Sequence, residues 1–303
     1  MASQELITRG FVKTTEDKKV TLQDDLLNNN EDIKLFDCSS LNMNFDNNIE
    51  DIKQVANKAP ELRLNLLSTH SNQTPLPENI NPFGLKSSLR YPKDGFTYFG
   101  YVSSRNSTMK IKLDFLISPQ EGEENEERFI GQHFYIRFNP YDMSYYIKDL
   151  GKGYGTFMKL NKEIKLVNDM LINIGETYLV SCYDGSDDEY LTIKIFNRNE
   201  SYIPVCLNHN VKRRIYFGRC NECDRVIDDL LLSSVHCTMV YVEGRGWLLR
   251  DGKDSGTERE SKRSTNGTWV FMSEEEKIYD GMQFKENRNL FECVYVENNE
   301  IAN

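Results

Sequence analysis

Ser264-Thr265-Asn266-Gly267-Thr268-Trp269 decides how this chain reads. It follows Asp251 and a charged insertion, and it has two companions upstream. Gly218-Arg219 ends the apolar run Ile215-Tyr216-Phe217. Ser233-Ser234-Val235-His236 stands just before the strand-like run from Cys237 to Val242. Each falls where one strand ends or the next begins. An arginine, a serine, a threonine and an asparagine on loops of a β scaffold can converge on one anion.

The run around these motifs has the texture of a β-sandwich. Leu191-Thr192-Ile193-Lys194-Ile195-Phe196 alternates, and short apolar runs follow at Tyr202–Leu207, Arg214–Phe217, Trp247–Arg250, Thr268–Phe271, Met282–Phe284 and Leu290–Val296. Upstream, Met109, Ile111, Leu113, Phe115 and Ile117 alternate with polar residues, the pattern of a half-buried strand. Further strands are expected at Phe134–Phe138, Tyr145–Lys148, Thr156–Leu160, Met170–Ile174 and Tyr178–Cys182.

The Gly-Arg, Ser-x-x-His and Thr-Asn-Gly-Thr series resembles the forkhead-associated (FHA) domain, a β-sandwich that binds phosphothreonine peptides. The resemblance implies roles residue by residue. Phosphothreonine carries close to two negative charges and three acceptor oxygens. Arg219 offers them a planar, permanently charged fork. Ser233 and Thr265 donate hydroxyls from facing loops, and Ser234 joins the binding set, although many members carry a larger donor there. Asn266 binds the ligand main chain. His236 is a scaffold residue, as are Gly218 and Gly267. Selectivity for threonine over serine implies a small niche for the γ-methyl group, worth ~1–3 kcal/mol.

A weaker match covers roughly residues 95–185. Asp149-Leu150-Gly151-Lys152-Gly153-Tyr154-Gly155-Thr156 resembles the family's Asp and Asn-Gly-Thr turn, and His133 sits where its histidine would. The serine position is Ile130, the asparagine position is Tyr154, and no Gly-Arg precedes them. The expected architecture is therefore all-β: two FHA-like antiparallel sandwiches in tandem after a largely irregular N-terminal arm. The arm spans 1–90, with a short helix at 49–59 capped by Asn48 and ended by Pro60. A degenerate sandwich spans 91–185, and an FHA domain with intact motifs spans 186–303.

Composition narrows the function. The net charge of -10 argues against nucleic acid as a partner. No apolar run reaches the length of a membrane span, and the N-terminus lacks the features of a signal peptide. Seven scattered cysteines suit a reducing intracellular compartment, whether nucleus, cytosol or cytoskeletal assembly. Cys220-x-x-Cys223 with His236 and Cys237 is a weak zinc pattern; two loop cysteines and no metal are expected. No phosphate loop, kinase catalytic loop or nucleophile elbow is present, so no enzyme and no cofactor are expected. Two readings follow. One is a phosphothreonine-dependent adaptor that recruits phosphorylated proteins. The other is a constitutive scaffold subunit of a larger assembly, docked through its sandwiches and arm. Thr14, Thr15 and Thr74 in the arm offer sites for self-recognition.

Overall fold

A computed structural model describes residues 45–69, 79–86, 88, 93–103, 112–119, 122, 126–183, 190–197, 203–254, 256, 262–286 and 288–297. The fold is all-β apart from one α-helix and a 3-10 turn among the described residues, and it divides into two compact units.

One unit is built from residues 158–271. Its first sheet is a meander: Leu171–Ile174, Thr177–Tyr183, Tyr190–Phe196 and Ile203–Asn208 pair antiparallel in chain order, and Leu171–Ile174 pairs on its other side with Thr268–Phe271. The second sheet places Arg214–Gly218 between Arg225–Val226 and Cys237–Val242, then continues through Gly246–Asp251 to Ile164–Lys165. Period-two alternation sends Leu191, Ile193 and Ile195 inward, as expected of a strand covered on one face. They join Ile172, Leu179, Phe217, Met239, Trp247 and Leu249 in one apolar cluster that packs sheet on sheet.

The other unit takes its described residues from 8–157 and 272–303. One sheet runs Gln283–Glu286, Asn289–Val296, Glu61–Ser68, Ile80–Asn81, Gly84–Leu85. The other runs Glu276–Lys277, Ser144–Asp149, Gly131–Asn139, Phe96–Tyr101, Phe115–Leu116. Aromatic rings fill its core. Phe134 stacks on Phe99 at 4.5 Å and meets Phe284 of the opposite sheet edge-on at 5.5 Å, and Phe284 stacks on Phe291 at 5.0 Å. The Tyr145 hydroxyl reaches the Pro60 and Ile80 carbonyls, both at 3.0 Å.

Three sequence expectations need correction. The arm does not extend to 90. Glu61–Ser68 is a strand whose Leu62 and Leu64 are buried, paired along its length with Asn289–Val296. Its polar flanks obscured the short alternation. The helix spans Phe45–Val55, so Asn48 lies inside it and cannot be its cap; Ile52 is its fully buried anchor. Finally, the contiguous division at 185 is not how the compact units are drawn. Thr177–Tyr183 pairs with Tyr190–Phe196 over six registered positions, which holds residues 171–183 with the chain that follows them. Residues 276–296 pair instead with Ser144–Asp149 and Glu61–Ser68. The strand expected across Met109–Ile117 falls partly outside the described residues, and only Phe115–Leu116 is strand there. Thr14, Thr15 and Thr74 lie outside them too. No described helix is long and apolar enough to cross a membrane.

Candidate functional site

Three loops at one end of the 158–271 unit bring the motif residues together. Gly218 closes the strand Arg214–Gly218. A Cβ there would land on the Ser234 carbonyl oxygen, so only glycine lets the two loops approach. The next amide, Arg219 N–H, donates to the Ser233 carbonyl at 3.3 Å. The Arg219 side chain is exposed, and no carboxylate among the described residues pairs with it.

His236 is fully buried beneath these loops. Its Nδ1 accepts the Ser233 amide at 3.1 Å, and its Nε2 faces the Gly267 carbonyl at 3.0 Å. An accepting Nδ1 puts the proton on Nε2, so the neutral ring bridges the serine loop to the asparagine turn. Both nitrogens are thereby engaged, and neither is left for a metal.

The turn itself hangs from Asp251. Its Oδ1 accepts the hydroxyls of Ser264 at 2.6 Å and Thr268 at 2.8 Å, and its Oδ2 accepts the Ser264 amide at 3.3 Å. Ser264 Oγ in turn accepts the Gly267 amide at 2.9 Å. Gly267 has φ +78°, a conformation that side chains other than glycine rarely adopt. The turn then meets the serine loop directly. Thr265 N–H donates to Ser233 Oγ at 2.9 Å, and that hydroxyl points at Thr265 Oγ1 at 3.3 Å. Asn266 Nδ2 donates to the Leu231 carbonyl at 2.7 Å, and its own carbonyl accepts Trp269 Nε1 at 3.0 Å.

The structure thus brings the Ser233 and Thr265 hydroxyls together and ties the Arg219 and Ser234 segments by backbone bonds, with Arg219, Ser234, Thr265 and Asn266 exposed and Gly218, His236 and Gly267 buried. Trp247 and Trp269 are buried, as their strand positions implied. Asn266 differs from its expected part in one respect: its carboxamide already reaches the Leu231 carbonyl, earlier in the same loop that carries Ser233. That loop is held by Asp229, which accepts the Glu176 and Leu231 amides at 2.7 and 2.9 Å and the Thr177 hydroxyl at 3.0 Å.

Sequence reading missed Asp229, and it gave Asp251 only as a landmark. Each is a lone carboxylate in sequence; only the fold shows it collecting three donors. The insertion after Asp251 is described at residues 252–254, 256, 262 and 263. Lys253 and Lys262 exchange backbone hydrogen bonds of 2.7 and 2.9 Å. Asp254 is buried against Arg250, which also holds Glu163. Burial opposes ionisation of Asp254, but the Gly256 amide and the Arg250 and Arg214 guanidiniums outweigh it and hold the carboxyl below its ordinary range. Beside this network lies a recess of about 410 Å³ lined by Arg250, Lys253, Lys262 and Arg263 among others.

The corresponding region of the other unit is built differently. Gly100-Tyr101 ends the strand Phe96–Tyr101, and a Cβ on Gly100 would strike the Gly131 carbonyl. His133 is buried, with Nδ1 2.7 Å from Glu286 Oε1 and Nε2 2.7 Å from the Phe129 carbonyl. The Phe129 carbonyl can only accept, so Nε2 carries a proton. Burial lowers its pKa, but Glu286 more than reverses this and raises it above the ordinary 6.5. Asp149 accepts the Gly151 and Thr156 amides, both at 2.7 Å, and burial pushes it up to about 7. Tyr154 packs against Phe129 at 4.9 Å, with the Arg128 guanidinium over both rings.

Comparison with known proteins finds one family match. Residues 215–285 match the FHA domain family, and the matched stretch contains Arg219, Ser233, His236, Thr265, Asn266 and Gly267. No curated protein matches the chain. Among solved structures, it is similar to Mycobacterium tuberculosis EmbR in complex with a low affinity phosphopeptide, at 18% identity over 33% of this chain and 24% of that one. The TM-score of 0.16 is too low to bear on the fold, and the match spans about a quarter of the EmbR chain.

Proposed function

We propose that this chain is a non-catalytic adaptor whose FHA domain captures phosphothreonine-containing proteins. The observation that carries the reading is the meeting of Ser233 and Thr265, their hydroxyl oxygens 3.3 Å apart, in a loop whose Ser233 carbonyl accepts the backbone amide of the exposed Arg219. A phosphate suits that arrangement. Arg219 supplies charge and a two-pronged donor, and charge-assisted hydrogen bonds of this kind are roughly twice as strong as neutral ones. Ser233 turns its hydroxyl from Thr265 to the phosphate, and Ser234 and Thr265 add donors at its rim. Asn266 keeps one amide hydrogen on Leu231 and offers its remaining donor and its oxygen to the peptide backbone.

The other unit supports a docking role. It matches the first in having two packed sheets and an Asp-to-Thr turn, so we read it as a degenerate FHA copy. We read its strand order as a trade of last strands between the two copies. Met170–Leu179 and Met282–Phe291 correspond in register, with Ile172 opposite Leu179 and Phe284 opposite Phe291. In that correspondence Glu286 stands where the other copy has Ile174, and its carboxylate fills the place beside the histidine.

The test is binding of the full chain to a degenerate phosphothreonine peptide library, with phosphoserine and unphosphorylated libraries as controls. The proposal expects phosphothreonine-selective binding that is lost in Arg219→Ala. Equal retention of all three libraries, or unchanged binding by the variant, would overturn it.

A further inference from the structure

The loop that carries Arg219 ends in a pair of thiols. Cys220 and Cys223 close a turn in which the Cys223 amide donates to the Cys220 carbonyl at 3.1 Å, and their sulfurs lie 3.6 Å apart. Both are free, Cys223 buried and Cys220 part-exposed. The pair is wired into the candidate phosphate site. The Cys223 thiol donates to the Ser234 carbonyl at 3.1 Å, and the Cys220 amide donates to the same oxygen at 3.2 Å. With the bond from Arg219 N–H to the Ser233 carbonyl, three donors from residues 219–223 tie the arginine loop to the serine loop. If Cys223 gives its hydrogen to Ser234, the contact between the sulfurs is donated by Cys220.

We infer that Cys220 and Cys223 form a reversible disulfide, and that its formation loosens the phosphothreonine site by removing the thiol tether to Ser234. The effect on binding rests on the function proposed above. The co-reactant is a low-molecular-weight disulfide such as glutathione disulfide. The Cys220 thiolate attacks one of its sulfurs and releases the first glutathione thiolate, leaving a mixed disulfide. Cys223 gives up its proton to solvent and attacks Cys220 Sγ, releasing the second. Two protein thiols are oxidised, and one glutathione disulfide is reduced to two thiols. The sulfurs close from 3.6 Å to a bond of about 2.05 Å, within reach of side-chain rotation in a turn of this size.

Burial, and then the hydrogen bond with Cys220, push the Cys223 thiol up to about 12. Cys220, the more exposed of the two sulfurs, is the one a soluble disulfide reaches first, and closure by the buried Cys223 is the slow step. Since thiolate is the reactive form, closure should accelerate about tenfold per pH unit below that value. Once oxidised, Cys223 has no hydrogen to donate. Losing one tether of this kind should weaken peptide binding roughly two- to tenfold.

The experiment equilibrates the full chain in glutathione redox buffers, traps remaining thiols, and maps residues 219–224 by mass spectrometry. Binding of a phosphothreonine peptide is measured on the same samples. The expected result is a Cys220–Cys223 peptide two hydrogens lighter, weaker binding, and recovery of both on reduction. Cys220→Ser, which lacks the attacking thiol but keeps the Cys223 bond to the Ser234 carbonyl, should bind like the reduced protein and ignore the oxidant. Should the reduced protein bind no phosphopeptide, the functional reading fails separately, and hydrogen exchange over 229–236 then reports the coupling. A pair that stays reduced in excess glutathione disulfide would overturn the inference. So would a disulfide that alters neither affinity nor exchange.

Discussion

A fragment of residues 186–303 should fail to fold, whereas 158–271 should fold. The first follows the boundary that sequence suggests; the second follows the compact unit. Cutting at 186 removes Leu160, Leu166, Ile172, Ile174 and Leu179 from the apolar cluster. Fully burying an aliphatic side chain stabilises by about 1.5–3 kcal/mol, so the loss is about 8–15 kcal/mol. That matches or exceeds the whole stability of an ordinary domain, about 5–15 kcal/mol. The lost strands also take Thr177 and the Glu176 amide away from Asp229, which anchors the loop beneath Asn266. Residues 272–296, which remain in the fragment, are a poor substitute. In that place Glu286 would replace Ile174 and bring a carboxylate into an apolar cluster, away from His133. Burying an unpaired carboxylate costs several kcal/mol or forces its protonation. Circular dichroism melts and amide NMR spectra of the two fragments decide the matter. A cooperative melt and dispersed spectrum for 186–303 would refute the strand assignment and restore a contiguous domain.

Ser233→Ala removes the hydroxyl shared by the two loops and should weaken phosphopeptide binding about 10- to 100-fold by calorimetry, the range for a hydrogen bond to a charged group. Asp251→Ala leaves Ser264, Thr268 and the Ser264 amide without their acceptor; about 2–4 kcal/mol of stability should be lost in urea titrations, with the affinity reduced as the turn loosens. Stability should also fall as pH rises above neutral. The His133 pKa is raised, so its contribution is present in full below the unfolded value of 6.5 and is lost as pH passes the folded value. Asp149, raised to about 7, acts in the same direction between its unfolded value of 3.8 and neutrality. Urea midpoints at pH 5.5 and 8.5 should show the decline, and Glu286→Gln should reduce it.

What the sequence disclosed and what it hid have physical causes. The strands with strict alternation, such as Tyr190–Phe196, and the motif turns at Gly218-Arg219 and Asn266-Gly267 were legible because period and glycine placement are local properties. The strand Glu61–Ser68 was not, because the alternation Leu62, Leu64, Leu66 is broken at once by Leu67, and only pairing with Asn289–Val296 commits it to a sheet. The destination of the last strands was hidden for the same reason. Nothing local in Met282–Glu286 says which sheet it joins; the deciding contact, Glu286 with His133, spans 153 residues. Asp229 and Asp251 read as surface acids until the fold surrounded them with donors.

The most direct test of the central claim is calorimetric titration of the full chain with a phosphothreonine peptide selected from the library, beside its phosphoserine and unphosphorylated forms. The account predicts binding by the phosphothreonine form, weaker binding by the phosphoserine form, and none by the unphosphorylated form or by the Arg219→Ala variant. Binding that ignores the phosphate, or that survives loss of the Arg219 guanidinium, would contradict it.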